Sequence, residues 1–265
     1  MQGRHQLTDW EQLADWWDAK LGDEGDLWHR AVIDPTLLPM LGDLRGQRVL
    51  DLACGNGYLA RRLARAGAIV TGVDAAEAII RHARRREAAE PLGITYHVAD
   101  AANLEGLADG SFDVVVCHMA LMDIADAEGA LREAARVLHP EGRLVASLCH
   151  PCFDVVNGAA WEIERTSTTA PATVWRKVTR YRAVFEGRFF WRIGHEQVST
   201  VAYHRPLSWY FRALRAAGFA VTAFEEPEPT PEFVAADLEG PWIAEIPLHC
   251  VFEARKLPYP DRPRG

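Results

Sequence analysis

Residues 49–58 decide the fold class; they read Val49-Leu50-Asp51-Leu52-Ala53-Cys54-Gly55-Asn56-Gly57-Tyr58. The stretch begins as an apolar run with the length of a buried strand and continues through a glycine turn into an amphipathic helix. Glycine at positions 55 and 57 lets the backbone approach a ligand closely, because no Cβ stands in the way. A strand, a glycine turn and a helix in this order predict a binding loop at the carboxyl end of a parallel strand.

Around this stretch, from Gln47 to Cys149, short β-branched runs alternate with alanine-rich amphipathic helices. Such alternation predicts βαβ units, right-handed crossovers and a doubly wound α/β fold with a parallel sheet. The runs are continuously apolar, as expected of strands that are covered on both faces. The predicted strands are Arg48–Ala53, Ile69–Asp74, Thr95–Ala99, Phe112–His118 and Arg143–Cys149. The predicted helices are Tyr58–Ala66, Ala76–Ala89 and Ala127–Leu138.

The segment before this core, residues 1–46, is a helical-looking acidic stretch that is rich in tryptophan. Its four tryptophans predict an N-terminal helical cap that either forms a lid or packs a helix onto the sheet. They are Trp10, Trp16, Trp17 and Trp28.

The segments after the core differ from each other in pattern. Residues 150–205 lose the alternation and become rich in arginine and aromatic residues, which predicts an inserted lid with a hairpin that turns near Glu186-Gly187. Residues 206–257 return to the core pattern, with one helix and two strands. We therefore expect one domain over residues 1–265, with residues 47–149 as its cofactor-binding core. The late elements are a helix at Pro206–Ala217 and strands at Ala220–Phe224 and Pro247–Arg255.

Composition and charge limit the classes of partner. The 265-residue chain is 49% hydrophobic and 25% charged, and its net charge of −8 supplies no global field for a nucleic-acid backbone. Its five cysteines are odd in number and lie mostly in apolar runs, which favours reduced thiols and a cytoplasmic location. No signal peptide is recognisable in Met1–Trp17, and no apolar run approaches a membrane span. We expect a monomer or a homodimer.

Three aspartates at the ends of consecutive predicted strands indicate the type of ligand. Asp51 would repel a pyrophosphate and attract an ammonium group, Asp74 is placed to accept ribose hydroxyls, and Asp100 is placed to accept an adenine amine. The glycines alone leave a dinucleotide open, because Gly55-Asn56-Gly57-Tyr58-Leu59-Ala60 also satisfies the G-x-G-x-x-A pattern. Each acid also has a structural interpretation, as a helix cap or a turn residue.

With these residues the chain resembles the class I S-adenosylmethionine-dependent methyltransferases, closely over Gln47 to Cys149 and loosely over the final strands. Residues Asp51 to Gly57 are similar to the family's glycine motif, with Ala53 where a glycine is commoner. The resemblance implies a mostly parallel, seven-stranded Rossmann-like sheet whose last strand, Pro247–Arg255, is antiparallel. It also implies that S-adenosylmethionine is the cofactor and that its contacts are Asp51, Ala53, Cys54, Gly55, Asn56, Gly57, Asp74, Ala75, Asp100, Ala101, His118 and Met119.

Methyl transfer needs a base only where the acceptor must lose a proton, and a neutral histidine would suffice. His118, His150 and His204 are candidates, and we expect the last two to lie near the cleft because the insertion between them must fold over the strand ends. Each is also commonly a structural histidine. Cys149 and Cys152 form a C-x-x-C pair without a second pair, so we expect no metal site. Candidate substrate contacts are Trp17, Trp28, Met122 and Arg205.

The sequence therefore predicts methylation of a small-molecule acceptor at oxygen or nitrogen. The arginine-rich insertion keeps an RNA or protein methyltransferase open as an alternative, although a solvated strand face explains it too. A protein that binds S-adenosylmethionine without methylating is a second alternative, because a fold does not determine its function. A nicotinamide-dependent oxidoreductase is a third, disfavoured by Asp51 and by the absence of a Tyr-x-x-x-Lys pair.

Overall fold

The computed structural model describes residues 9–164, 173–236 and 241–257. The described helices, in chain order, are α1 (Asp9–Gln12), α2 (Ala14–Leu21), α3 (Asp34–Leu41), α4 (Tyr58–Arg65), α5 (Glu77–Ala89), α6 (Ala127–Val137), α7 (Leu207–Ala216) and α8 (Pro231–Ala235). A π-helical turn at His29–Ile33 leads into α3, and a 3-10 turn covers Pro241–Ala244. None of the helices in these ranges combines the length and apolarity needed to cross a bilayer.

Eleven strands are described, and seven of them form one sheet. The strands are β1 (Arg48–Leu52), β2 (Ile69–Asp74), β3 (Thr95–Val98), β4 (Phe112–His118), β5 (Leu138–Cys149), β6 (Ala159–Glu164), β7 (Thr173–Val178), β8 (Phe185–Ile193), β9 (Glu196–His204), β10 (Phe219–Glu225) and β11 (His249–Lys256). The sheet order is β10-β11-β5-β4-β1-β2-β3, and β11 runs antiparallel to both neighbours. The predicted Rossmann-like fold, including its antiparallel last strand, is confirmed.

The core explains why the strands are continuously apolar. Along β4, Val114 and Val116 face one core, whereas Val115 and Cys117 face the other, as the two-residue period of a strand requires. Helices cover both faces, and all four of these side chains are at most 1% exposed. Helix α6 begins at an Asp126 cap whose carboxylate accepts from the Gly129 backbone N–H, at 2.7 Å.

The insertion consists of two hairpins outside the main sheet, and the predicted turn position is wrong. We call β6–β7 the first hairpin and β8–β9 the second hairpin. The second hairpin turns at Gly194-His195, where Gly194 adopts a φ of +58° that favours glycine. Gly187 lies inside β8 instead. A Cβ there would stand 2.7 Å from Asn157 Oδ1, so this glycine serves a close approach and not a turn.

The cap, which we define as residues 9–46, lies over the carboxyl edge of the sheet and contacts the second hairpin. The Asp9 carboxylate accepts from the Arg188 guanidinium and from the Val201 backbone N–H, each at 2.9 Å. The Trp16 and Trp17 rings lie 5.7 and 5.8 Å from the Trp191 ring. These contacts enclose the space above the strand ends. Residues 1–8 of the predicted cap lie outside the described residues.

Candidate functional site

A cavity of about 870 Å³ lies at the carboxyl edge of the sheet, within the roughly 300–1,000 Å³ typical of small-molecule sites. Its floor is formed by the ends of β1, β2 and β4, and its walls by the cap and the second hairpin. Strand β1 is the point where the strand order reverses, since β4 lies on one side of it and β2 on the other. Ligands of open α/β sheets bind at such switch points.

The glycine loop after β1 takes its shape from three left-handed residues. Ala53, Gly55 and Gly57 have φ values of +59°, +56° and +80°. A Cβ on Gly57 would overlap the hydroxyl of Tyr96, whose ring is also packed 2.7 Å from where a Gly72 Cβ would stand. The loop therefore needs glycine at position 57 for close packing. Ala53 and Gly55 line the cavity, whereas Gly57 does not.

Asp51 meets the cavity with a carboxylate oxygen that lacks a partner. Its side chain is buried, and Oδ2 has no hydrogen bond in the described part of the chain. Burial, reinforced by the negative charge of Asp74, raises the pKa of Asp51 to about 7. A buried acceptor without a partner costs free energy, which a cationic group on a ligand would recover. The residue thus fits the α-ammonium group of S-adenosylmethionine.

Asp74 and Asp100 both line the cavity and both make local backbone bonds. Asp74 accepts from the Gly55 N–H at 3.0 Å and from the Ala76 N–H at 2.9 Å, which ties the glycine loop to the end of β2. Asp100 accepts from the Ala102 N–H at 2.9 Å in a turn. Asp100 is thus a turn residue, whereas Asp74 is not a helix cap, because α5 is preceded by Ala76 and has no side-chain cap bond. Both carboxylates keep further lone pairs for a ligand. Among the predicted cofactor contacts, Cys54, Ala75 and Ala101 also line the cavity.

Asn56 has a different contact from the predicted one. Its side chain is buried, and its amide donates to Asp18 Oδ1 and to the Gly22 carbonyl, both at 3.0 Å. The residue therefore anchors the cap to the glycine loop and does not line the cavity. Sequence reasoning missed this because Asp18 lies 38 positions away.

His118 and Met119 line the cavity at the end of β4, as expected. His118 Nδ1 lies 2.7 Å from Ser147 Oγ, which also accepts from the Met119 N–H. Its Nε2 lies 3.2 Å from Asp34 Oδ1 without the alignment of a hydrogen bond. Burial lowers the pKa of His118, which keeps the ring neutral.

Two histidines predicted near the cleft do not line the cavity. His150 Nε2 lies 2.9 Å from Glu226 Oε1, and burial lowers the pKa of the ring. His204 Nε2 lies 2.8 Å from the Tyr181 carbonyl, at the end of the second hairpin. In β9 the neighbouring residue Tyr203 lines the cavity, so the two-residue period of the strand turns His204 to the other face.

Of the predicted substrate contacts, Trp17, Trp28 and Met122 line the cavity and Arg205 does not. The Arg205 guanidinium is buried and donates to the carbonyls of Ile124 and Ala125, both at 2.8 Å. It holds the loop after β4 in place, so the prediction of a substrate contact is wrong for this residue.

The C-x-x-C pair is split between the cavity wall and the insertion. Cys149 lines the cavity, and burial raises the pKa of its thiol. Cys152 Sγ lies 3.6 Å from the Tyr181 hydroxyl. In residues 9–164, 173–236 and 241–257, no group of three or more His, Cys, Asp or Glu side chains is placed to hold a metal.

The structure adds cavity-lining residues that the sequence did not indicate, chiefly on the cap. His29 Nδ1 lies 2.6 Å from Asp26 Oδ1, and Lys20 Nζ donates to Asp26 Oδ2 at 2.5 Å. His29, Asp26 and Lys20 all line the cavity. A carboxylate three positions before a histidine in a helical stretch was the available signal. His249 at the start of β11 is also on the wall, and nothing in its local sequence marked it.

Comparison with known proteins gives one family. A methyltransferase domain model matches residues 50–146. A crystal structure of an S-adenosylmethionine-dependent methyltransferase from Mesorhizobium loti is 30% identical, covers 84% of this chain and 96% of its own, and has a TM-score of 0.70. A putative methyltransferase of the same type from Listeria monocytogenes is 26% identical, covers 88% and 97%, and has a TM-score of 0.66.

Curated relatives match over a shorter region. The ubiquinone biosynthesis O-methyltransferase of Xanthomonas oryzae pv. oryzae is 35% identical over 135 residues, which are 50% of this chain and 55% of that protein. The chain thus spans about half the length of the curated relatives it matches. The range matched by the family model, residues 50–146, includes the glycine loop and the strand-end acids.

Proposed function

The chain belongs to the S-adenosylmethionine-dependent methyltransferases, and on that basis we propose that it methylates a small-molecule acceptor at oxygen or nitrogen. The observation that carries the proposal is one cavity with two unlike sets of lining residues. The strand ends contribute three acids, whereas the cap, the second hairpin and the ends of β4 and β11 contribute histidines and aromatic rings. We assign the first set to the cofactor and the second to an acceptor of limited size, and we call them the cofactor end and the acceptor end.

Each residue at the cofactor end has a task that follows from its contacts. Asp51 would pair with the α-ammonium group through its unpartnered oxygen, Asp74 would meet the ribose, and Asp100 would meet the adenine amine. When bound, S-adenosylmethionine supplies a methyl group that is already activated on a sulfonium. The chain's remaining contribution is to position the acceptor and to exclude water.

An RNA or protein substrate is less well supported by the walls of the cavity. Arginines of the insertion that reach the wall are engaged inside the protein. Arg176 donates to the Phe153 carbonyl and to Asp154, each at 2.8 Å, and Arg188 donates to Asp9 and Ser199. Arginines held in this way stabilise the insertion, and they leave less positive charge for a phosphate backbone.

Two measurements test the proposal. Calorimetry should show that the purified protein binds S-adenosylmethionine and S-adenosylhomocysteine. Asp51→Asn should lower the affinity for S-adenosylmethionine, whereas the control Asp109→Asn, at the opposite edge of the sheet, should leave it unchanged. Incubation with methyl-labelled cofactor and separated cell fractions should then place the label in the small-molecule fraction. Label in the RNA or protein fraction, or absence of cofactor binding, would contradict the proposal.

A further inference from the structure

Three histidines from separate parts of the chain meet on the wall of the cavity. His29 belongs to the cap, His118 ends β4 and His249 begins β11, and all three line the wall. The rings of His29 and His118 lie 5.1 Å apart. A histidine at a reaction site is a common general base, so the three must be distinguished by their partners.

Only His29 has a carboxylate aligned on one ring nitrogen. Asp26 Oδ1 lies 2.6 Å from Nδ1 and also accepts from the His29 backbone N–H at 3.1 Å. Burial opposes the charge of Asp26, but the hydrogen bonds and charges of His29 and Lys20 outweigh it and hold the pKa of this carboxyl well below its usual range. An ionised carboxylate on Nδ1 selects the tautomer whose lone pair is on Nε2 and stabilises the imidazolium.

The other two histidines lack this arrangement. His118 is bonded to Ser147, and burial lowers its pKa. The His249 ring lies 5.0 Å from the Trp28 ring, with the two planes tilted by 56°, and its Nδ1 has no partner among the described residues. Burial together with the charges of neighbouring histidines lowers the pKa of His249 to about 3. Both rings therefore stay neutral, and neither has an aligned carboxylate to stabilise an added proton.

The second nitrogen of His29 remains available to a ligand. Within the described part of the chain, His29 Nε2 makes no hydrogen bond. The atom is also not one of the fully buried polar atoms, so it is accessible to a ligand. The Trp17 and Tyr58 rings contact the imidazole edge-on, at 6.4 and 5.4 Å, and hold its orientation. The ring is thus fixed at Nδ1, and Nε2 is left to a ligand on a side chain that lines the cavity.

The surroundings of His29 select the kind of acceptor. The lining of the cavity includes six aromatic rings, of which Trp17 lies 6.4 Å from the His29 ring; they are Trp10, Trp17, Trp28, Phe189, Trp191 and Tyr203. Flat aromatic molecules pack well between such rings. A phenolic hydroxyl has a pKa of ~10 and a free imidazole one of ~6.5, so an imidazole can take the phenolic proton as the reaction proceeds. A neutral primary or secondary amine is already nucleophilic and needs no base before it attacks.

We propose that His29 Nε2 removes the proton of an aromatic hydroxyl on the acceptor, with Asp26 as the residue that positions its ring. The O–H bond breaks and its proton moves to Nε2. The oxygen electron pair forms the new O–CH₃ bond as the S–CH₃ bond breaks, and the electron pair of that bond stays on sulfur. The inference rests on the proposed function and narrows its acceptor to a phenol-like hydroxyl.

A binding experiment reads out the base without turnover. 4-Nitrocatechol, whose absorbance distinguishes phenol from phenolate, is titrated into protein saturated with S-adenosylhomocysteine, at a pH where the free probe is neutral. Wild-type protein should bind it as the phenolate. His29→Gln should bind it at least tenfold less in that form, and Asp26→Asn should fall between. The matched control His139→Gln, an exposed histidine at the opposite end of β5, should behave as wild type.

Turnover of phenolic acceptors provides the second readout. With the labelled cofactor, His29→Gln should lower kcat by about 10²–10⁴-fold while KM and S-adenosylhomocysteine affinity change less than about threefold. Retained S-adenosylhomocysteine binding shows that the variant is folded.

Several results would overturn the inference. The inference fails if His29→Gln and wild type bind equal amounts of the probe as phenolate. It also fails if wild type binds the probe only as the neutral phenol, or does not bind it. If the protein binds the cofactor but methylates only an aliphatic amine, the proposed function stands and this inference fails. If it does not bind the cofactor, the proposed function itself fails.

Discussion

The two ends of the cavity are built in opposite ways. At the cofactor end, Asp51, Asp74 and Asp100 follow successive strands and lie within fifty residues of each other. At the acceptor end, Asp9 bonds residues 179 and 192 positions away. A cofactor site can therefore be recognised in the sequence from consecutive strand ends. An acceptor pocket depends on contacts between distant segments, which the sequence does not indicate.

The polar groups of the two ends also differ in how they are satisfied. At the cofactor end Asp51 Oδ2 is buried without a partner among the described residues, and burial raises the pKa of this carboxyl. At the acceptor end, charged side chains pair with one another, as Arg188 does with Asp9. The first arrangement leaves an acceptor atom for a ligand, and the second joins the cap to the second hairpin.

The largest loss of stability and of cofactor affinity is expected for Gly57→Ala. The substitution places a Cβ against the Tyr96 hydroxyl in a backbone conformation with φ of +80°. We expect a loss of about 2–4 kcal/mol in the free energy of unfolding, with cofactor affinity reduced more than tenfold. Urea unfolding and calorimetry measure both. Gly106→Ala is the control, because Gly106 has φ of +89° with nothing within 4 Å. Equal losses in the two variants would contradict the packing argument.

The acceptor end should respond to Trp191→Ala. Trp191 packs against Trp16 and Trp17, and Lys20 Nζ lies 4.9 Å from its ring centroid. We expect the free energy of unfolding to fall by roughly 1–3 kcal/mol in urea, while S-adenosylhomocysteine affinity changes less than threefold. Trp175→Ala, on the first hairpin and 47% exposed, is the matched control. A large loss of S-adenosylhomocysteine affinity would show that the two ends are not separable.

The pH dependence of cofactor affinity tests whether the ionised Asp51 carboxylate binds the α-ammonium group. Its pKa of about 7 means that the carboxyl is protonated below this pH, and a neutral carboxyl attracts an ammonium group less. S-adenosylmethionine affinity should therefore fall about fivefold from pH 7 to pH 6, an interval in which the cofactor's α-amino group, with a pKa of ~8, stays largely charged. In Asp51→Asn calorimetry should find weaker binding with little pH dependence in this interval. A wild-type profile parallel to that of the variant would exclude Asp51 as the titrating group.

The smallest effects are expected for the two histidines that the sequence suggested as bases. His150 and His204 do not line the cavity, so His150→Ala and His204→Ala should keep kcat per folded molecule within about twofold of wild type. Stability is measured in parallel, since both side chains are buried. A tenfold loss of kcat with intact cofactor binding would restore either residue to the reaction site.

Much of the core was predictable because its signals are local. The predicted bounds of β2 and β4 match the structure, and those of β1 and β3 differ by one residue. Strand β5 begins at Leu138 and not at Arg143, because an irregularity in the β4–β5 pairing extends it through the expected turn. The cofactor-facing positions follow from the same periodicity, since a strand end determines where its next side chain points.

The sequence by itself determined the sheet, the glycine loop and the three acids, because each follows from the local order of residues in successive strands and helices. Only the tertiary structure decided which histidines come together on the cavity wall, since His29 reaches Asp26 within the cap but meets His118 and His249 through folding. It also decided that Asn56 and Arg205 support the scaffold. Contacts between distant segments follow from the packing of whole elements, which no local pattern encodes.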